Sequence, residues 1–195
     1  MILSRIYGSR GGAAFTPSDF LDLGSRQAVD LALHRLVGRK ILRRLARGLY
    51  EYPRKHQELG VLSPDIEKVA KALAGKGRIR LQPAGAYAAN LLGLSEQVPA
   101  KVVFLTDGPS RTVKIGRQEI QLRRTTPRNM AASGRLSGLL MQAFRHLGKD
   151  HITVERMEQL KRTVPTMERR RLLKDMRLAP AWMHPLLRKL AGAGS

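Results

Sequence analysis

The sequence of 195 residues predicts an α+β chain in three parts. Apolar residues recur at helical spacing behind cap-like residues in several stretches, and alternate at strand spacing around glycine-bearing turns in others. From about residue 131 only the helical pattern persists. With 43% hydrophobic and 26% charged residues, the chain can bury one moderate core or two small ones.

The first part opens at "FTPSDFLDLGS". Thr16 is placed as an N-cap, Pro17 fits the first helical position, and Asp19 follows three residues after the cap. Asp19 and Asp22 suit the positive end of a helix dipole, and Gly24 keeps this helix short. Ser25 then caps a second helix across the tight turn Leu23, Gly24, Ser25. On the wheel of that helix Ala28, Val29, Ala32, Leu33 and Leu36 share one face, while Gln27, Asp30 and His34 share the other. Leu31 falls near the outward side, placed either to meet a thymine methyl or to pack on the preceding helix.

After Gly38, "KILRRLARGLYEY" reads as two strands around the turn Arg47-Gly48. Helix, turn, helix and basic hairpin together predict a winged helix-turn-helix over residues 1–55, a double-stranded DNA reader. Gln27, Asp30 and His34 are then expected to face base edges, with Arg26, Arg35, Arg43, Arg44 and Arg47 on phosphates. An amphipathic helix beside a solvated basic hairpin would carry the same residues.

"PRKHQELG", residues 53–60, breaks the pattern and is expected to be a linker. The second part, 63–130, restarts with Ser63 as cap, Pro64 in the first turn, and Ile66, Val69, Ala70 and Leu73 as a core stripe ending at Gly75. "RIRLQ" is a short strand, "PAGAYAANLLGL" a small-residue helix and "AKVVFLTDG" a buried strand. "TVKIGRQEIQLRRT" is a hairpin around Ile115-Gly116-Arg117. The third part, 131–195, is a helical extension with Leu136, Leu139, Leu140, Ala143, Phe144 and Leu147 as its first stripe. Thr153 with Arg156, and Thr166 with Arg169, form no capping box, which leaves the later boundaries soft. Arg169, Arg170 and Arg171 fall within a helix, as a solvated face, an auxiliary phosphate contact or a site for an acidic partner.

Lys and Arg number 36 against 15 Asp and Glu, a formal charge of +21. The excess recurs in each third of the chain, at 11 against 5, 12 against 5 and 13 against 5, so basic folded faces are expected in place of one basic tail. Such a surplus favours a polyanion as partner. Without cysteine there is no disulfide, thiolate metal site or Cys nucleophile. No apolar run reaches signal-peptide or bilayer-spanning length, from which a soluble cytoplasmic protein, not membrane-bound, is expected.

The five histidines are scattered, with no His-x-x-x-His pair, and "GKGR" and "TDGPSR" are neither a Walker loop nor a dinucleotide fingerprint. No catalytic residue, metal site or cofactor is expected, and the chain is read as a non-enzyme. "GSRGG" lacks the acidic pair that a nucleotidyltransferase would place after Gly-Ser.

"FTPSDFLDLGSRQAVDLALHRLVGRKILRRLARGLYEYP" and "LQPAGAYAANLLGLSEQVPAKVVFLTDGPSRTVKIGRQEIQLRRT" together resemble the AbiEi-type antitoxins of type IV toxin-antitoxin systems. The likeness rests on Phe-Thr-Pro-x-Asp-Phe, Ala-Val-Asp-x-Ala-Leu-x-Arg-Leu, Arg-Gly-Leu-Tyr, Val-Pro-Ala-Lys and Thr-Asp-Gly-Pro-Ser-Arg, across roughly the first two thirds of the chain. It implies an antitoxin that represses its own operon by binding its operator, opposite a cognate nucleotidyltransferase toxin that it need not hold in a stable complex. The competing expectation is a ribosome-associated RNA-binding protein, which +21 suits equally. Aromatic residues, at 5%, are few for a base-stacking platform.

Overall fold

The computed structural model describes residues 1–192 and is mixed α and β. The chain divides into two compact units, one of residues 1–79 with 111–120, the other of 80–110 with residues from 121 onward.

The first unit begins with α1 (Ile2–Tyr7), which buries Ile6 completely. Strand β1 (Ala13–Phe15) follows, then a single 3₁₀ turn over Pro17–Phe20. The Asp19 carboxylate accepts from the Thr16 amide at 2.7 Å and from its hydroxyl at 3.0 Å, fastening the start of that turn. The short helix expected here is thus one turn long. Leu23 N–H bonds back to the Phe20 carbonyl in an i to i−3 link, and no i to i−4 ladder develops before Gly24. Asp22, expected to answer a helix dipole, instead takes the Arg5 guanidinium on both oxygens at 2.8 and 2.6 Å. Arg5 also donates to the Asp19 carbonyl and lies 5.9 Å above the Phe20 ring, tying α1 to the turn.

Helix α2 (Arg26–Gly38) starts where the Ser25 hydroxyl accepts from the Ala28 amide at 3.3 Å. Val29, Leu33 and Leu36 are buried as the wheel requires, while Ala28 is exposed and Ala32 half-buried at the rim of the stripe. The helix closes in a Schellman arrangement. Ile41 N–H reaches the Leu36 carbonyl and Lys40 N–H the Val37 carbonyl, with Lys40 at φ +57° where glycine is the usual occupant. Strands β2 (Arg43–Ala46) and β3 (Leu49–Tyr52) form the expected hairpin, turning at Gly48 with φ +69°.

β1 pairs antiparallel with β3, Phe15 opposite Tyr50, so the sheet order is β1-β3-β2. Ile6, Phe15, Phe20, Val29, Leu33, Leu36, Leu42 and Tyr50 make one core. Each large side chain there contributes about 1.5–3 kcal/mol by leaving water.

The expected linker closes into a small hairpin of β4 (Lys55–His56) and β5 (Gly60–Val61). His56 Nδ1 accepts from the amides of Glu58 and Leu59 inside it, a local arrangement that polarity alone does not signal. Helix α3 (Ile66–Ala74) is capped by Asp65, whose carboxylate accepts from Glu67 and Lys68 amides at 3.1 and 3.2 Å, two residues later than the Ser63 cap expected. It packs against β1 with Val69, Ala70 and Leu73 buried.

The chain continues through β6 (Leu81–Ala84), α4 (Gly85–Leu91), β7 (Lys101–Thr106), β8 (Arg111–Ile115) and β9 (Gln118–Arg124). Within the second unit β6 pairs antiparallel with β7, Leu81 opposite Thr106. The β8–β9 hairpin turns at Gly116, φ +59°, as expected, and its residues 111–120 belong to the first unit.

The second unit adds α5 (Pro127–Met130), α6 (Leu136–Leu147), α7 (Val154–Thr163), α8 (Thr166–Asp175) and α9 (His184–Ala191). Thr153 caps α7 with its own hydroxyl, which accepts from the Arg156 amide at 3.4 Å. Helix α6 packs on α4 and β6, and Leu140, Phe144, Met157, Leu160, Leu172, Met183 and Leu187 form its core. A methyl at Gly138 would stand 2.2 Å from the Ala132 carbonyl oxygen, so only glycine permits this approach. The buried Asp175 carboxylate accepts from Arg135 at 2.7 Å and from the Ser137 hydroxyl at 2.5 Å, fixing α8 to α6. Among the described residues no helix is long and apolar enough to cross a membrane.

Candidate nucleic-acid interface

The Ser25 cap and the buried stripe of α2 leave one face of the helix outward. Gln27 and His34 are exposed on it, Asp30 is half-buried, and Leu31 stays 50% exposed. Of the two placements open to Leu31, the structure gives the outward one, so an apolar group stands among the polar ones. Arg26 Nε donates to Asp30 Oδ2 at 2.9 Å, one turn along the helix. That pair is weakly held, because both partners remain accessible to water. Arg35 is exposed near the far end of the same helix.

The hairpin separates its arginines into two kinds. Arg43 donates through Nε and Nη2 to Glu51 Oε2, at 2.9 and 2.5 Å, and through Nη2 to the Leu62 carbonyl at 2.9 Å. Glu51 is only 1% exposed and sits directly across the ladder from Arg43. A buried carboxylate needs its partner, so the Arg43 guanidinium is committed inside the unit. Arg44 and Arg47 are exposed at the strand edge and the turn. Among the described residues neither they nor Arg35 form an ion pair with a carboxylate.

β8 lies beside β2 in this unit, bringing the strand that carries Lys114 to the hairpin's neighbourhood, with Arg117 in the turn that follows that strand. Both are exposed. Sequence reasoning missed them because they stand some seventy residues beyond the hairpin; alternation marks them as solvent-facing on a strand pair, and no local signal says which strand that pair approaches. Arg169, Arg170 and Arg171 lie on α8 in the second unit, Arg169 half-buried, Arg170 exposed, and Arg171 3.4 Å from Glu168 on its own helix. Among the described residues no three His, Asp or Glu side chains are grouped to hold a metal ion.

The first unit is thus a small mixed α/β body whose exposed helix face and hairpin carry unpaired cations. The chain belongs to a family of unknown function (DUF6088), whose profile matches residues 1–172 and so takes in both units through most of α8. No curated protein and no solved structure matches the chain.

Proposed function

We propose that this protein is a cytoplasmic DNA-binding autorepressor and the antitoxin of a toxin-antitoxin operon whose toxin is a nucleotidyltransferase. One observation carries the DNA-binding part. Within a single unit, a Ser-capped helix turns Gln27, Asp30, Leu31 and His34 outward, and a hairpin follows whose Arg44 and Arg47 lack carboxylate partners. The succession helix, strand, turn, helix and hairpin, with its sheet order β1-β3-β2, supports a winged helix-turn-helix. In that reading α2 enters the major groove, Gln27 pairs through its amide with adenine, and Leu31 meets a thymine methyl. Arg26, Arg35, Arg44 and Arg47 hold phosphates, joined by Lys114 and Arg117. Arg43 holds the wing together through Glu51. The chain acts by binding and carries no catalytic step.

The antitoxin part rests on the resemblance of the two quoted segments to AbiEi-type antitoxins. The test of DNA binding is fluorescence anisotropy with a duplex from the gene's own upstream region, a scrambled duplex and a structured RNA, across a salt series. Preference for the upstream duplex by about a thousandfold is expected. Equal, steeply salt-dependent binding to all three would replace this reading with charge-driven RNA or DNA association. For the antitoxin part, a nucleotidyltransferase gene is expected beside this one, and co-expression is expected to relieve its toxicity; lack of such a gene, or unrelieved toxicity, would remove that role.

A further inference from the structure

The second unit contains a cleft of about 380 Å³ that the DNA-binding reading does not use. Arg123 at the end of β9, Arg145 and His146 at the end of α6, and Thr125, Asn129 and Gln142 line it. No Asp or Glu is among its lining residues, and among the described residues neither Arg123 nor Arg145 forms an ion pair. Burial, and then the like charge of nearby Arg128, lower the Arg145 pKa. Arg123 and Arg145, both still reached by solvent, thus converge on one cleft whose lining holds no neutralising acid.

Two further features distinguish this cleft from a solvated basic surface. Arg145 donates to Asn129 Oδ1 at 3.1 Å, and Asn129 in turn donates to Thr125 Oγ1 at 2.9 Å, so a side-chain chain fixes the guanidinium along one wall. Gln142, only 7% exposed, lines the same cleft, yet its amide makes no hydrogen bond to the described residues. Its amide is therefore open to the solvent of the cleft, where a polar ligand group can replace water as its hydrogen-bond partner. A track for a polynucleotide backbone needs exposed cations alone. A concavity of this volume with an unpartnered amide in its lining suits a smaller molecule bearing both an anion and hydrogen-bonding groups.

We propose that this cleft binds a phosphorylated small molecule of the nucleotide class, with Arg123 and Arg145 on the phosphate and Gln142 on a polar group of the organic portion. Arginine's planar fork matches phosphate oxygens in paired hydrogen bonds. The site lies wholly in the second unit and is independent of the DNA-binding residues.

Isothermal titration of the full chain with ATP, AMP and inorganic phosphate tests it, alongside anisotropy with the upstream duplex. Saturable binding of at least one nucleotide is expected. Arg123→Gln and Arg145→Gln should each weaken nucleotide and phosphate binding by about tenfold or more. Gln142→Met should weaken nucleotide binding and leave inorganic phosphate unchanged, and all three variants should bind the duplex as the unaltered protein does. Arg123 is exposed on a strand end, so its substitution keeps the test valid if a change at buried Gln142 disturbs folding. Absence of saturable binding by all three ligands, or unchanged binding in Arg123→Gln and Arg145→Gln, would overturn the proposal. So would parallel loss of nucleotide and duplex binding, which would make the cleft part of a polynucleotide track.

Discussion

The two units share a chain rich in Lys and Arg but present those cations differently. In the first, Arg35, Arg44 and Arg47 are exposed on a helix and a hairpin. In the second, Arg123 and Arg145 line a cleft with an unpartnered amide. Net charge names a class of partner, and the shape that carries the charge decides its size. Exposed cations spaced along a helix and hairpin match successive phosphates of a duplex, whereas convergent ones match a single phosphoryl group.

The comparison can be broken first within the hairpin itself. Arg43→Ala strands the buried Glu51 carboxylate and should cost about 3–5 kcal/mol of stability, read by denaturant unfolding. If it left stability untouched and reduced only duplex affinity, Arg43 would rejoin the phosphate-holding set. Gln27→Ala should remove about 1–3 kcal/mol of discrimination between the upstream and scrambled duplexes while leaving scrambled binding nearly unchanged.

Arg44→Ala should instead weaken all duplexes alike and reduce the salt slope by about one, with stability within about 0.5 kcal/mol. A reversal of those two patterns would mean that another face of the unit meets DNA. Lys40→Gly should raise stability by about 1 kcal/mol, because glycine adopts the left-handed conformation after α2 without strain; a thermal melt reads the gain.

The smallest effect concerns acid. The Arg5 hydrogen bond holds Asp22 well below the usual carboxylate range, and Arg80 lowers Asp107 in the second unit. Folded values below unfolded ones mean that each pair's stabilisation is fully present above about pH 4 and is lost as pH falls toward the folded value. Both sites are solvent-accessible, so the change should be slight. Asp22→Asn should flatten the acid limb of a pH-stability curve for the first unit, and Asp107→Asn should do so for the second; an unaltered limb would show that these pairs contribute nothing.

Much of the helix and hairpin was legible because its causes are local. Ser25 caps α2, the i, i+4 stripe of Val29, Leu33 and Leu36 buries it, and Gly48 and Gly116 turn their hairpins where the sequence places them. Other features depend on distant chain. α1 and the β1–β3 ladder escaped prediction because six-residue and three-residue elements carry little periodicity and acquire order from Phe20 and Tyr50. Helix α9 lies within the expected helical extension, but no local signal marked its bounds, since His184–Ala191 buries Leu187 and Leu190 in a core shared with α6, α7 and α8.

By itself, the sequence determined where α2 starts, where the two hairpins turn at Gly48 and Gly116, and that every third of the chain would be basic, since capping, glycine conformation and charge act over a few residues. Tertiary structure alone decided which cations are spoken for. It set Arg43 against a buried Glu51, brought β8 beside β2, and left Arg145 and Gln142 lining one cleft. Those outcomes depend on which distant residues are neighbours in space and how far water is excluded between them, quantities that no local pattern contains.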